Sequence, residues 1–253
     1  MPGIQSQGAE EQKEEINRFT MDNKKLIGLI GGTGWASTVE YYTLLNEKVN
    51  ARLGGMEYAR CLIYSLNYGE INAFNEKDDL PAIYRMVQDA ALKLQAAGAS
   101  CLVLCANTLH LFAEQLEQDI AIPLIHIADS TALKIKADGY SRVGLLGTKR
   151  TMLSDFYHAR LKRHGIEAIV PDDEDRAFIE YTIRQEMVKG IIKMEHVPRY
   201  LEIINKLAAN GAEGVILGCT EIPLLVKQED TNVRLYDTTE IHADAIVDFF
   251  IRA

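Results

Sequence analysis

The chain repeats itself. Gly98-Ala99-Ser100-Cys101-Leu102-Val103-Leu104-Cys105-Ala106-Asn107-Thr108 and Gly211-Ala212-Glu213-Gly214-Val215-Ile216-Leu217-Gly218-Cys219-Thr220-Glu221 are two versions of one phrase, 113 residues apart, each an apolar run closed by small polar residues. Ile27-Gly28-Leu29-Ile30-Gly31 returns as Val143-Gly144-Leu145-Leu146-Gly147 at an offset of 116, and Leu124-Ile125-His126 as Leu235-Tyr236-Asp237 at 111. Three matches in one order at nearly one spacing imply a duplicated unit of roughly 110 residues, an ordinary domain size. The pairing sets Asn107 against Thr220 and Ala106 against Cys219, so one half carries a thiol where the other carries a methyl.

Short β-branched or Leu-rich runs alternate with helical periodicity, the pattern of parallel βαβ units. Strands are expected near 26–31, 60–66, 101–106, 122–126, 142–147, 167–171, 214–219 and 233–236, four per half. Helices are expected at 37–52, 78–97, 109–118, 129–138, 151–164, 173–191, 196–210, 221–228 and 239–251. The fold class is α/β: two pseudo-symmetric Rossmann-like domains, each a four-stranded, mainly parallel sheet flanked by helices, with the site in the cleft between them. The expected division is a polar extension at 1–24, a first domain at 25–128 plus 229–253, and a second at 129–228, the closing helix returning to the first half.

A net charge of −9 with no Lys/Arg cluster excludes a nucleic-acid footprint. No window approaches the length of a membrane span or a signal-peptide core, so a cytoplasmic protein is expected. The four cysteines lack zinc-ribbon or thioredoxin spacing, and no metal ligand set emerges from them or from the six histidines. Reduced thiols are expected.

In open parallel sheets ligands bind beyond the carboxyl ends of the strands. Four segments fit: Gly31-Gly32-Thr33-Gly34, Ala106-Asn107-Thr108, Gly147-Thr148 and Gly218-Cys219-Thr220. Each also has a plain structural use. Glycines permit a tight turn, and the first run lacks the ribose-binding acid of a dinucleotide site after strand two, where Ser65-Leu66-Asn67 stands. Asn and Thr are routine helix caps. His110 reads as an ordinary first-turn histidine, and Lys149-Arg150 as a solvated pair within reach of an anion. A buried cysteine is commonly a small hydrophobe, but at a helix N-terminus the dipole would favour the thiolate of Cys219 and lower its pKa.

Taken together, Ile27 to Ser37, Leu104 to His110, Leu145-Leu146-Gly147-Thr148 and Gly218-Cys219-Thr220-Glu221 resemble the aspartate/glutamate racemase family, over nearly everything from Leu26 onward. The stretch from Gly31 through Trp35 to Tyr42 is most similar to the broad-specificity amino-acid racemase subgroup. The resemblance implies two facing α/β domains, a small-molecule amino-acid substrate, no pyridoxal phosphate, metal or nucleotide, and commonly a homodimer. It further implies two cysteines flanking the substrate α-carbon, one removing and the other returning the α-proton.

The second family cysteine matches Cys219, but Ala106 stands at the first, with Cys105 one position early. Period-two alternation turns Cys105 away from the face that Ala106 shares with Leu102 and Leu104, unless the strand end bends. The expected acid/base residues are therefore Cys219 and, after such a distortion, Cys105. Thr33, Asn67, Asn107, Thr108, Thr148 and Thr220 are expected to bind substrate. Aspartate-selective relatives offer an Arg near the end of strand two, absent here, so broad or non-acidic specificity is expected, with Lys189 a weaker cationic candidate. A slow or direction-biased racemase follows. A single-cysteine decarboxylase of the same superfamily and a non-catalytic amino-acid binder are the alternatives.

Overall fold

The computed structural model describes residues 25–252; the polar extension read at 1–24 lies outside them. Two parallel sheets carry the duplication. In the first, β1 (Ile27–Gly31) lies between β2 (Cys61–Ser65) and β3 (Cys101–Leu104). In the second, β4 (Arg142–Gly147) and β6 (Gly214–Gly218) are central, with β5 (Glu167–Ile169) and β7 (Arg234–Asp237) outside, in the order β5-β4-β6-β7. β1 and β6 are buried throughout, as strands covered by helices on both faces must be, which is why they read as unbroken apolar runs.

The expected fourth strand of the first half shrinks to one parallel bridge, Leu102 with Leu124. It places Leu124 beside β3 as β7 lies beside β6, so the spatial order of the two halves is the same. The ladder stops on both sides for local reasons. Pro123 has no N–H to donate, although its carbonyl accepts from Leu102 N at 2.8 Å. Beyond it, Ile125 O accepts from His242 Nε2 and Ile127 N donates to His110 Nε2, so the groups that would extend the pairing are taken by histidines.

Eleven helices are described: α1 (Trp35–Leu53), α2 (Tyr68–Asn75), α3 (Leu80–Ala96), α4 (Ala113–Asp119), α5 (Ile127–Ala137), α6 (Lys149–Leu153), α7 (Asp155–Arg163), α8 (Asp173–Gln185), α9 (Val197–Ala209), α10 (Ile222–Leu225) and α11 (Thr238–Ile251). α2 has no counterpart among the expected elements; Asn67 starts it by accepting from Gly69 N at 2.9 Å. The helix expected at 151–164 is instead two, broken at the extended Ser154, and that at 173–191 ends in a 3-10 turn closed by left-handed Gly190. The segment after Ala106 opens as a 3-10 turn, Asn107–Phe112, before α4 begins.

The last helix packs against α1 and β1 on one side and α5 on the other. Ala243, Ile246, Val247 and Phe250 share a core with Ile27, Leu29 and the α1 stripe Tyr41, Leu45, Val49, whose i, i+4, i+8 spacing presents one helix face. Lys48 pairs with Glu240 and Asp244 at 2.6 and 3.0 Å along the rim. Among the described residues no helix is long and apolar enough to cross a membrane.

Candidate active site

Register places the polar strand ends side by side. β4 and β6 pair Gly147 with Gly218, so Thr148 and Cys219, each one residue on, leave neighbouring strands together. In the first sheet Ile30 pairs with Leu104, and Cys105 N donates to Ile30 O at 2.9 Å, ending the ladder just before Ala106. The chain after β1 turns sharply at Gly32 (φ 84°), where a Cβ would fall 2.0 Å from Leu66 O, so glycine is required there. Thr33, Ala106, Asn107, Thr108, Thr148, Cys219 and Thr220 line one cleft of about 850 Å³ counting its open mouth.

Two buried polar atoms among those lining residues, Thr33 Oγ1 and Asn107 Oδ1, have no hydrogen-bond partner. The orientation of Asn107 is fixed from behind. Thr238 Oγ1 donates to Leu217 O at 2.9 Å and so can only accept from Asn107 Nδ2, at 3.0 Å. Asn107 Oδ1 is thereby left as an acceptor, 4 % exposed overall, with its desolvation uncompensated until a donor arrives. Thr148 caps α6, accepting from Thr151 N at 3.2 Å, and its hydroxyl lies 3.5 Å from that of Thr108.

Cys219 is buried, and its Sγ donates to Glu221 Oε2 at 2.9 Å. The same carboxylate oxygen accepts from Thr220 Oγ1 at 2.8 Å, and Ser37 Oγ, from the first turn of α1, donates to Thr220 Oγ1 at 2.5 Å. The expectation of a lowered thiol pKa fails here. Burial first, and the negative Glu221 second, push Cys219 well above the ordinary thiol value, against the opposing Glu221 N–H. α10 is a single turn of four residues, too short to offset burial and an adjacent carboxylate. Burial also raises Glu40 of α1 to about 7, followed by the charges of Asp237 and Glu221.

Two expected site residues lie elsewhere. Cys105 is 1 % exposed and packs on the other side of the first sheet with Cys101, Val103 and Tyr41, so the strand end does not bend enough to bring it round. Ala106 takes the cleft position instead. Asn67 is exposed, spent on the α2 cap and on Glu70 Oε1 at 3.3 Å; the residue after it, Tyr68, lines the cleft. Lys189 is exposed and reaches Gln185 at 3.0 Å, while Arg184, five residues earlier on α8, faces the cleft with Arg150. All four cysteines are free thiols.

Sequence reasoning did not single out Ser37, Tyr68, Arg184 or Glu221 as site residues. Glu221 stood in the repeated phrase opposite Thr108, a position whose acidity was available as a signal. Ser37 and Arg184 come from the first turn of α1 and the last of α8, and nothing local marks them.

The sequence matches the Asp/Glu/hydantoin racemase family profile over residues 30–246. A structurally characterised candidate Asp/Glu racemase from Yersinia pestis is similar at 44% identity, covering 90% of this chain and 100% of its own, with a TM-score of 0.85. An aspartate racemase homologue from Pyrococcus horikoshii OT3 is 34% identical, covering 91% and 100%, with a TM-score of 0.79. The broad specificity amino-acid racemase RacX of Bacillus subtilis is 23% identical over 232 residues, 89% of this chain and 98% of that protein. With the profile spanning most of its length and the duplicated sheets meeting at one polar cleft, the chain belongs to the Asp/Glu/hydantoin racemase family.

Proposed function

We propose that this protein is an amino-acid racemase in which Cys219 exchanges the α-proton. The observation that carries the reading is the company of Cys219: a buried thiol in a cleft with two unsatisfied polar atoms, Thr33 Oγ1 and Asn107 Oδ1. Asn107 Oδ1, fixed as an acceptor, takes the α-ammonium. Thr33 and Thr108 hydroxyls donate to the α-carboxylate, with Thr148 beside them. Such preorganised donors favour the charge that builds on the carboxylate as the α-carbon becomes carbanion-like. The Thr220 hydroxyl is committed to Glu221 and orients the thiol's partner more than the substrate.

Arg150, 3.3 Å from Asp78, and Arg184, held by Glu180, bring guanidinium groups to a cleft whose apolar wall is formed by Ile71, Ile83, Phe112 and Ile183. They favour an acidic substrate side chain over the neutral one expected from Ser65-Leu66-Asn67. At the position equivalent to Cys219 the first half offers only the Ala106 methyl, so the second proton comes from Thr108 or a water, and inversion is slow or biased in direction. The same methyl favours a second reading, a single-thiol decarboxylase, which needs a proton on one face only.

Proton NMR in deuterium oxide with L- and D-amino acids, wild type against Cys219→Ser, tests the proposal. α-Deuteration by the wild type that is lost in the variant supports it. Loss of carbon dioxide from an α-carboxylated substrate, with no exchange of any amino acid, transfers the assignment to the decarboxylase; binding without either leaves a passive binder.

A further inference from the structure

We infer that Glu221 is the proton-holding partner of Cys219, so that the two form a thiol–carboxylate dyad able both to take and to return a proton on a single face of the substrate; the inference rests on Cys219 being the acid/base residue proposed above. The geometry is that of a hydrogen bond in use: Sγ stands 2.9 Å from Oε2, with Cys219 and Glu221 respectively 8 and 6 % exposed. Thr220 Oγ1 donates to the same oxygen, and Ser37, bonded to Thr220, stands 3.5 Å from Oε1, so the carboxylate is held by the first turn of α1 as well as by its own loop. A residue needed only to cap α10 would not turn its carboxylate back toward the preceding thiol, and Glu221 makes no side-chain cap bond to that helix.

The step balances as follows. The Cys219 S–H bond breaks as its proton passes to Glu221 Oε2, leaving a thiolate and a carboxylic acid. The thiolate takes the substrate α-proton, the C–H electron pair remaining on the α-carbon, and a new S–H bond forms. In reverse, the thiol donates to the carbanion and Glu221 restores the proton to sulfur. The first transfer leaves the pair's total charge unchanged, and the second passes that single negative charge to the substrate, so no second charge is ever placed beside Glu221; a buried pair tolerates this far better than an added isolated thiolate. The other charged or titratable groups facing the pair are Glu40 from α1, Tyr68 from α2, Glu180 and Arg184 from α8 and Tyr200 from α9.

The dyad also explains how a cleft with one thiol remains useful. With the Ala106 methyl in place of a second thiol, a proton that Glu221 exchanges with solvent returns to the face it left. Exchange with retention then outruns inversion.

Glu221→Gln separates this role from a structural one, because it removes the charge and the proton-accepting capacity while keeping the shape. The readout is the pH profile of iodoacetamide alkylation at Cys219, identified by peptide mass spectrometry, beside α-deuteration of aspartate and glutamate. Expected for Glu221→Gln is an alkylation midpoint lower by about one pH unit, since a like charge has been removed, together with α-deuteration slower by about tenfold or more. Glu221→Asp restores part of the exchange. A midpoint that stays or rises, or exchange equal to the wild type, overturns the inference. Should Glu221→Gln not fold, Glu221→Asp takes its place: α-deuteration slower by about threefold or more with an unchanged melting temperature upholds the dyad, and exchange equal to the wild type overturns it. A wild type that deuterates no amino acid while the alkylation midpoint still shifts upholds the dyad and removes only the racemase assignment.

Discussion

The two ends of the repeated phrase fold onto equivalent places and are stabilised by opposite chemistry. After β3, Ala106 O accepts from His110 Nδ1 at 3.1 Å, and His110 stacks edge-on against His126 and His242 in a buried, uncharged cluster. After β6, the corresponding loop holds a thiol against a carboxylate, with two hydroxyls bonded to them. A duplication supplies two geometrically similar strand ends; it does not oblige both to do chemistry. Under the proposed reading, the first end is a neutral floor with substrate-orienting groups, and the second keeps a mobile proton.

The strongest way to break this contrast is Cys219→Ser. A serine hydroxyl supplies no alkoxide at neutral pH to take the α-proton, so α-deuteration should fall by about 10²–10⁴, the ordinary worth of a positioned acid/base. Retention of wild-type exchange, measured by NMR, would move the chemistry out of the second half. The complementary change is Ala106→Cys, which puts a thiol into the cleft from the first half. Inversion should rise by about tenfold or more relative to exchange with retention, followed by polarimetry against deuteration. If inversion does not rise, the two strand ends do not address opposite faces of the α-carbon.

Much of this contrast could be read in the sequence. The offsets of the repeat gave equivalent strands and the same sheet order, because a parallel buried strand must be an apolar run and each run ended in small polar residues. Period-two alternation placed Ala106 in the cleft and Cys105 behind it. What stayed hidden depends on side chains meeting across the fold. Arg184 faces the cleft from α8, where Lys189 on the same stretch does not, a matter of helix phase and of the helix ending early. The raised thiol pKa was not legible because it comes first from the depth at which Cys219 is buried and then from Glu221, which folds back on sulfur where a helix was expected over 221–228 and one turn forms. The missing first-half strand depended on Pro123 and two distant histidines.

The histidine floor makes the first half the acid-sensitive one. His242 donates from Nε2 to Ile125 O and accepts at Nδ1 from Tyr41 at 2.7 Å, so neither ring nitrogen has room for a second proton. Burial lowers His242 from 6.5 to about 4 and His110 to about 3, the latter helped by the neighbouring His242, and it pushes His126 below its ordinary value as well. Because the unfolded chain protonates near 6.5 and the folded one does not, stability is full above that pH and declines as pH falls toward about 4 for His242 and about 3 for His110. Each histidine contributes a slope of about 1.4 kcal/mol per pH unit within its window. Urea unfolding at descending pH measures it. His242→Gln, which can still accept from Tyr41 and donate to Ile125, should flatten the slope; an unchanged slope would mean that the cluster is not what acid attacks.

The smallest effect belongs to Cys105→Ala. Its thiol is enclosed by Ile27, Leu29, Val103 and the C-terminal helix, and burial first, with Cys61 second, raises its pKa far beyond the range in which it could exchange a proton. Losing one buried sulfur should cost about 1 kcal/mol through the small void it leaves, read as a lower denaturation midpoint. α-Deuteration and inversion should both stay at the wild-type rate. A drop in either, with the fold intact, would mean that the end of β3 bends in solution to bring Cys105 into the cleft, and the first half would then be a second working thiol site instead of a floor.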